Sequence, residues 1–261
     1  MSSTVKTSLH SESKLQRYLE LADSVRGLVN QVTAEGSRIR QADTEDLTVR
    51  NRVLIGLAIK AYNCFECLIQ DAKGLRSEAF HHLKTLAEAH IYFQWVGVKS
   101  DDNRAKLLLA EECRYKIGFF DANPELDPGR KNCEILKGTL QAWTAGLEHE
   151  WKGFKNSRLR KLAEDTSADM VGWYNRVYKP ACDPAHISDL SEYMPPTRGP
   201  ISVIPATDLA TLRALIALDY GLQIMWDLLR NLSDIYELGF DETITKLKAT
   251  LDATRTLPAS Q

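Results

Sequence analysis

Apolar residues recur at helical spacing along almost the whole chain, whereas the alternating pattern of a β-strand is nearly absent. The longest such segment, residues 207–238, ends at Gly239, a residue type that commonly closes helices. With 261 residues, 44% of them hydrophobic, the chain can bury a sizeable core. We therefore predict an all-α protein: a single multi-helix bundle of about seven to nine helices with one long C-terminal helix.

Breaks in this periodicity give the expected boundaries. Residues 1–12 form a disordered N-terminus, 13–256 a single helical domain and 257–261 a tail. Asp183-Pro184 has the sequence of a helix start, residues 123–129 are a turn, and residues 201–204 form a short extended piece. The predicted helices cover residues 13–32, 46–72, 76–98, 103–120, 130–149, 207–238 and 241–254, with short helical pieces at 158–164, 167–178 and 183–193.

Charge and apolar content argue against several classes of protein. A net charge of -2 gives no general attraction to nucleic acid, and the first ten residues lack the apolar core of a signal peptide. Lys60, Asn63 and Glu66 interrupt the most apolar stretch, 53–69, which favours a buried helix over a membrane span. Five scattered cysteines indicate reduced thiols, so we expect a cytoplasmic protein.

The helix predicted for residues 76–98 carries polar side chains on one face. At about 100° per residue, Lys84, Glu88, His81 and Tyr92 fall within roughly one third of the circumference. Such a stripe can hold a carboxylate as a base with a cation beside it. It is also the usual appearance of a solvated face with an i,i+4 pair between Lys84 and Glu88.

Two further segments contain candidate chemistry. Arg76 and His81 match the arginine-x₄₋₆-histidine motif of HEPN-type helical ribonucleases, in which the histidine acts on the ribose hydroxyl and the arginine stabilises phosphate charge. His186 stands in the first turn of a helix that Asp183 is expected to cap, where it is either a titrating group or a structural histidine. No metal-ligand spacing is present, and we expect no cofactor.

The segments 79–95 and 178–186 resemble a bacterial helical family, domain of unknown function 5677, over roughly residues 45–240. The resemblance implies a helical bundle in which Lys84, Glu88, Tyr178 and His186 occupy recurring polar positions. The family usually has arginine where this chain has Lys84, and lysine lacks the bidentate fork of arginine. The resemblance supplies no activity.

Two functions fit these observations. The favoured hypothesis is an interaction or small-ligand-binding module with a polar cluster between helices. The alternative is a metal-independent ribonuclease of the HEPN-like kind in stress or phage defence, with RNA as its partner. The long helices also suit a homodimer. The catalytic candidates are His186, Glu88 and His81, and the ligand-binding candidates are Lys84, Tyr178, Arg76 and Tyr92.

Overall fold

The computed structural model describes residues 2–42, 47–76, 78–182 and 207–256, with side chains from residue 13 to 37 in the first range and from 210 in the last. Regular structure in these ranges is helical throughout, which confirms the all-α class. The helices are α1 (Ser2–Ala42), α2 (Val49–Lys73), α3 (Ala79–Gly97), α4 (Asn103–Ala122), α5 (Lys131–Thr144), α6 (Glu148–Phe154), α7 (Leu159–Glu164), α8 (Ala168–Trp173), α9 (Lys179–Cys182), α10 (Thr207–Tyr236) and α11 (Asp241–Thr256).

Two short non-α segments complete the described helices. A 3-10 turn covers Pro124–Leu126, and a π-helical turn, Tyr174–Tyr178, joins α8 to α9 without a break. The predicted helix 183–193, the extended piece 201–204 and the residues Asp183 and His186 lie outside the described residues.

The first helix is longer than predicted. It begins at Ser2 rather than at Ser13, and it ends at Ala42 rather than at Val32. Adding a residue to an existing helix is far easier than starting a helix, so a stable segment can extend into polar flanks that have no apolar periodicity of their own. The predicted division into a tail, one domain and a second tail stays a prediction.

The predicted fifth helix is wrong, because the segment 130–149 is divided. The structure ends α5 at Thr144 and begins α6 at Glu148. Between them Gly146 adopts a φ of 75°, a conformation that residues with side chains rarely take. Its amide donates to the Glu148 carboxylate over 3.0 Å.

The turn between α2 and α3 differs from the predicted one. The amide of Arg76 donates to the Asp71 carbonyl over 2.8 Å, and Leu75 takes a φ of 52°. This is the hydrogen bond of a Schellman motif, with Leu75 rather than Gly74 as the left-handed residue. Arg76 therefore precedes α3, whereas the prediction made it the first residue of that helix.

The described chain divides into two compact units, and the first contains Met1–Glu45, Ala58–His90 and Gly172–Gln261. Here α1, α10 and α11 pack together around a polar contact at Asp219. The Tyr18 hydroxyl donates to Asp219 over 3.1 Å, and Arg255 of α11 reaches the same carboxylate at 3.1 Å. Burial and the carboxylate of Asp219 raise the pKa of Tyr18 well above its ordinary range, so this phenol stays a hydrogen-bond donor.

Close packing also joins α2 to α10 in this unit. Gly221 lies where a Cβ atom would come within 3.3 Å of both Phe65 and Leu68, and those two side chains are fully buried. A hydrogen at this position lets the two helices approach each other. On the other side of α2, Glu66 pairs with Arg26 of α1, which lowers the pKa of Glu66.

The second unit, Asp46–Leu57 and Ile91–Val171, contains the hairpin of α4 and α5. The Trp95 ring stacks on the Phe154 ring with 5.1 Å between the ring centres. The Arg104 guanidinium lies 4.9 Å from the centre of the Trp95 ring. Buried Asp127 accepts the amides of Asn132 and Cys133, and these hydrogen bonds hold the pKa of Asp127 below its usual range. Asp127 thus caps the first turn of α5.

Of the helices that the structure describes, α2 is the one long and apolar enough, by length and composition, to cross a membrane. Core helices of soluble proteins pass the same test. The pairing of Glu66 with Arg26 and the burial of Phe65 and Leu68 fit a helix packed within the protein. The expected absence of a membrane contact stays a prediction.

Changing Gly221 to valine will destabilise the first unit. The added methyl groups have no room beside Phe65 and Leu68, so we expect Gly221→Val to lower the free energy of unfolding by about 1–3 kcal/mol. Urea denaturation followed by circular dichroism measures this. Gly138→Val on α5 is the control, because nothing lies within 4 Å of its added Cβ. Equal losses in both variants would contradict the close packing.

Candidate functional site

Lys84 and Glu88 both lie half-buried on α3. They are one helical turn apart, the spacing at which opposite charges usually pair. Neither a hydrogen bond nor an ion pair joins them in the part of the chain that the structure describes. The predicted i,i+4 pair is therefore not formed, and Glu88 has no cation neutralising it among the described residues.

The charge of Glu88 influences groups from two other segments of the first unit. The Cys64 thiol of α2 has its pKa raised by burial, and the charge of Glu88 raises it further. Tyr178 has its pKa raised well above its ordinary range by burial, by Cys182 and by Glu88. The charge of Glu88 therefore acts on one group of α2 and on one group of the segment that contains Tyr178.

Tyr178 is presented by the π-helical turn. Its ring stacks on Tyr174 at 5.3 Å, and its hydroxyl is hydrogen-bonded to the Cys182 side chain. Pro180 explains the wide turn, because the proline ring would clash with the carbonyl four residues earlier in an α-helix. Such turns frequently occur at functional sites. We call Cys64, Lys84, Glu88, Tyr178 and Cys182 the Glu88 cluster.

A second polar contact joins α2 to α3 at their connecting turn. His82 Nε2 lies 3.1 Å from one oxygen of Asp71, and Arg76 Nη1 lies 3.6 Å from the other. Asp71 is mostly buried, His82 is one-third exposed and Arg76 is 68% exposed. These three residues form the Asp71 cluster, in which one carboxylate holds a histidine beside an accessible guanidinium.

The arginine-x₄₋₆-histidine pattern contains two candidate histidines, and the structure brings the one that was not predicted near Arg76. His81 is exposed, and it is the neighbouring His82 that contacts the carboxylate near Arg76. The spacing from Arg76 to either histidine satisfies the motif, so the motif alone could not choose between them. The catalytic role of His81 stays a prediction.

A buried histidine on α3 was missed entirely. His90 is fully buried, and its Nε2 lies 2.6 Å from the Asp227 carboxylate of α10. Its ring and the ring of Trp173 meet edge to face, and the two ring centres are 5.1 Å apart. Its other nitrogen, Nδ1, has no hydrogen-bond partner among the described residues. No motif marks this pair, because 137 positions separate its two members.

The remaining predicted residues are not brought into either cluster. Tyr92 is half-buried one turn beyond Glu88 on α3. His186 lies outside the described residues, so its predicted meeting with Glu88 stays a prediction. A groove of about 430 Å³ between α1 and α11, lined by residues such as Arg17 and Glu20, contains no predicted site residue. Among the described side chains, no group of three or more His, Cys, Asp or Glu residues is arranged to hold a metal ion.

A comparison with protein families places these clusters in context. The model of a family of unknown function, DUF5677, matches residues 51–197. The chain belongs to the DUF5677 family. Both the Glu88 and the Asp71 clusters lie inside the matched DUF5677 region, whereas Asp227 lies beyond it. Neither curated proteins nor solved structures give a significant match.

Neutralising Glu88 will make Cys64 more reactive. In Glu88→Gln the negative charge that helps to raise the pKa of Cys64 is gone, so more thiolate forms at a given pH. We expect the iodoacetamide alkylation profile of Cys64, followed by peptide mass spectrometry, to shift to lower pH. Cys113 is the internal control, because burial and Glu112 raise its pKa. An unchanged profile for Cys64 would mean that Glu88 does not act on this thiol.

Proposed function

We propose that this DUF5677 protein binds a small zwitterionic molecule, such as an α-amino acid, at the Glu88 cluster. The proposal rests on one observation: Glu88 and Lys84 lie half-buried at pairing distance along α3, yet they are not paired with each other in the described structure. A carboxylate held partly out of water without a cation is costly unless something else satisfies it. A ligand that brings an ammonium group supplies that partner.

The opposite charges of the site select the class of ligand. Glu88 accepts hydrogen bonds from an ammonium group, and Lys84 donates to a carboxylate, so one zwitterion can satisfy both residues. A small anion alone would satisfy Lys84 and leave Glu88 unpaired.

Tyr178 supplies the contact that discriminates between ligands. Burial and the charges around it keep its hydroxyl protonated, so it acts as a hydrogen-bond donor at neutral pH. The stacked rings of Tyr174 and Tyr178 also offer an aromatic face to a cationic group. In this proposal His186 remains a predicted additional group of the site.

Thermal unfolding in the presence of the common α-amino acids tests the proposal. A ligand at about a hundredfold its Kd adds about 2.7 kcal/mol, which raises the Tm of a chain of this size by roughly 5–10 °C. We expect Glu88→Gln to weaken binding by about tenfold to a hundredfold, because a charge-assisted hydrogen bond is lost. Tyr178→Phe is expected to weaken binding as well.

Two kinds of control accompany this measurement. Glu242→Gln neutralises an exposed carboxylate on α11 and should leave binding unchanged. An alkylamine and acetate, which carry one charge each, should shift Tm less than the zwitterion does. The proposal is overturned if no amino acid shifts the Tm of the wild type, or if Glu242→Gln and Glu88→Gln behave alike.

The Asp71 cluster favours a second candidate function, metal-independent RNA cleavage in the bacterial cytoplasm, in stress or phage defence. An aspartate that holds one nitrogen of a histidine orients the ring and supports its use as a general base. His82 has this arrangement, and the exposed guanidinium of Arg76 beside it suits a phosphate group. His82 would take the proton of a ribose hydroxyl while Arg76 holds the phosphate.

Incubation of total and structured RNA with the pure protein, with and without a chelator, tests this second function. We expect cleavage that persists in the chelator and falls by about 10²–10⁴-fold in His82→Ala, because the general base is removed. His81→Ala is the matched control on the adjacent residue and should retain cleavage. Absence of cleavage by the folded wild type, or equal loss in both variants, would contradict the role of His82.

A further inference from the structure

The outer face of α4 exposes aromatic side chains. Tyr115 is 73% exposed and Phe119 is 48% exposed. They lie about 140° and 180° around the helix from Ala110, which is buried. Leu108, half-buried, lies on the same line about two turns before Tyr115 and three turns before Phe119. These three residues form the aromatic stripe of α4.

The size of the stripe is characteristic of a contact surface. Two aromatic side chains exposed to this extent contribute on the order of 200–250 Å² of surface per copy. Stable interfaces cover about 800 Å² on each partner, and weak ones cover less. With Leu108 and the polar flanks added, the stripe suits a weak association that depends on protein concentration.

Charges on the two sides of the stripe indicate which partner fits. Glu112 and Lys116 lie on one side and pair with each other at 2.5 Å, although both are more than half exposed. Glu111 and Arg114, on the other side, form a second pair of opposite charge. Each side therefore carries one acid followed by one base, an order that is complementary to itself when the helix is reversed.

We propose that the chain forms an isologous dimer in which α4 packs antiparallel against α4 of a second copy. A two-fold axis near residue 114 places Glu112 opposite Lys116 of the partner subunit, and the reverse contact follows from the symmetry. The same axis puts Phe119 opposite Leu108 of the partner subunit and brings the two Tyr115 rings together. A second copy is favoured over another protein because the stripe is self-complementary. When α4 runs antiparallel to a second α4, apolar residues meet apolar residues and acids meet bases.

Sedimentation velocity over a range of protein concentrations tests the dimer. We expect the wild type to dimerise, and Tyr115→Glu to weaken dimerisation by at least about a hundredfold, because a charge enters the apolar contact. Circular dichroism confirms that the variant is folded, which is expected since Tyr115 is mostly exposed. A wild type that stays monomeric at every concentration overturns the proposal.

Charge reversal then identifies the surface. Glu112→Lys and Lys116→Glu each place like charges opposite one another, so each variant alone should lose dimerisation. An equimolar mixture of the two should regain it as a heterodimer, as should the double variant Glu112→Lys/Lys116→Glu. Lys137→Glu on α5, where Lys137 pairs with Glu134 on an exposed face, is the control. If the single reversals dimerise like the wild type and like Lys137→Glu, the antiparallel α4 contact is wrong.

Discussion

The polar groups of α3 need partners inside the protein, because this helix is buried over most of its length. His90 shows the consequence: it is fully buried, its Nε2 lies 2.6 Å from the Asp227 carboxylate, and its ring meets that of Trp173 edge to face with the ring centres 5.1 Å apart. Removing Asp227 leaves the buried Nε2 of His90 without this partner, which is destabilising because an unsatisfied buried polar group is costly. The contact thereby ties α10 and the segment that begins at Trp173 to one helix. Glu88, two residues earlier, is half-buried and forms no ion pair with any described residue, and this difference sets it apart as a candidate for binding.

Much of the fold could be predicted from residue pattern alone. The start of α4 at Asn103 and the ends of α10 and α11 agree with the apolar periodicity to within about two residues. The predicted helix boundaries were wrong where the conformation of a single residue determined the end of a helix. Gly146 ends α5 early, and Leu75 adopts the left-handed conformation that the pattern would assign to Gly74. A non-glycine residue in that conformation is uncommon, so periodicity gives no sign of it.

The candidate sites were harder to predict than the helices. The polar stripe on α3 was identifiable because Lys84 and Glu88 are one turn apart, but their failure to pair depends on packing that no local pattern contains. The choice of His82 over His81 depends on the geometry of the turn before Ala79, where Arg76 and Asp71 come together. Asp227 could not be matched to His90 at all, since distant pairs leave no trace in a single sequence.

The π-helical turn has an evolutionary consequence. Such a turn holds one residue more than the α-helical turn it replaces, so loss of a single codon there would restore regular winding. The residues on both sides of that deletion would keep their orientation about the helix axis, because one complete turn replaces another. Tyr174 and Tyr178, whose rings stack four positions apart, would lie three positions apart if the lost codon stood between them, while the helix itself survived. A one-residue length difference between relatives at positions 174–178 would therefore separate chains that keep this arrangement from chains that have abandoned it.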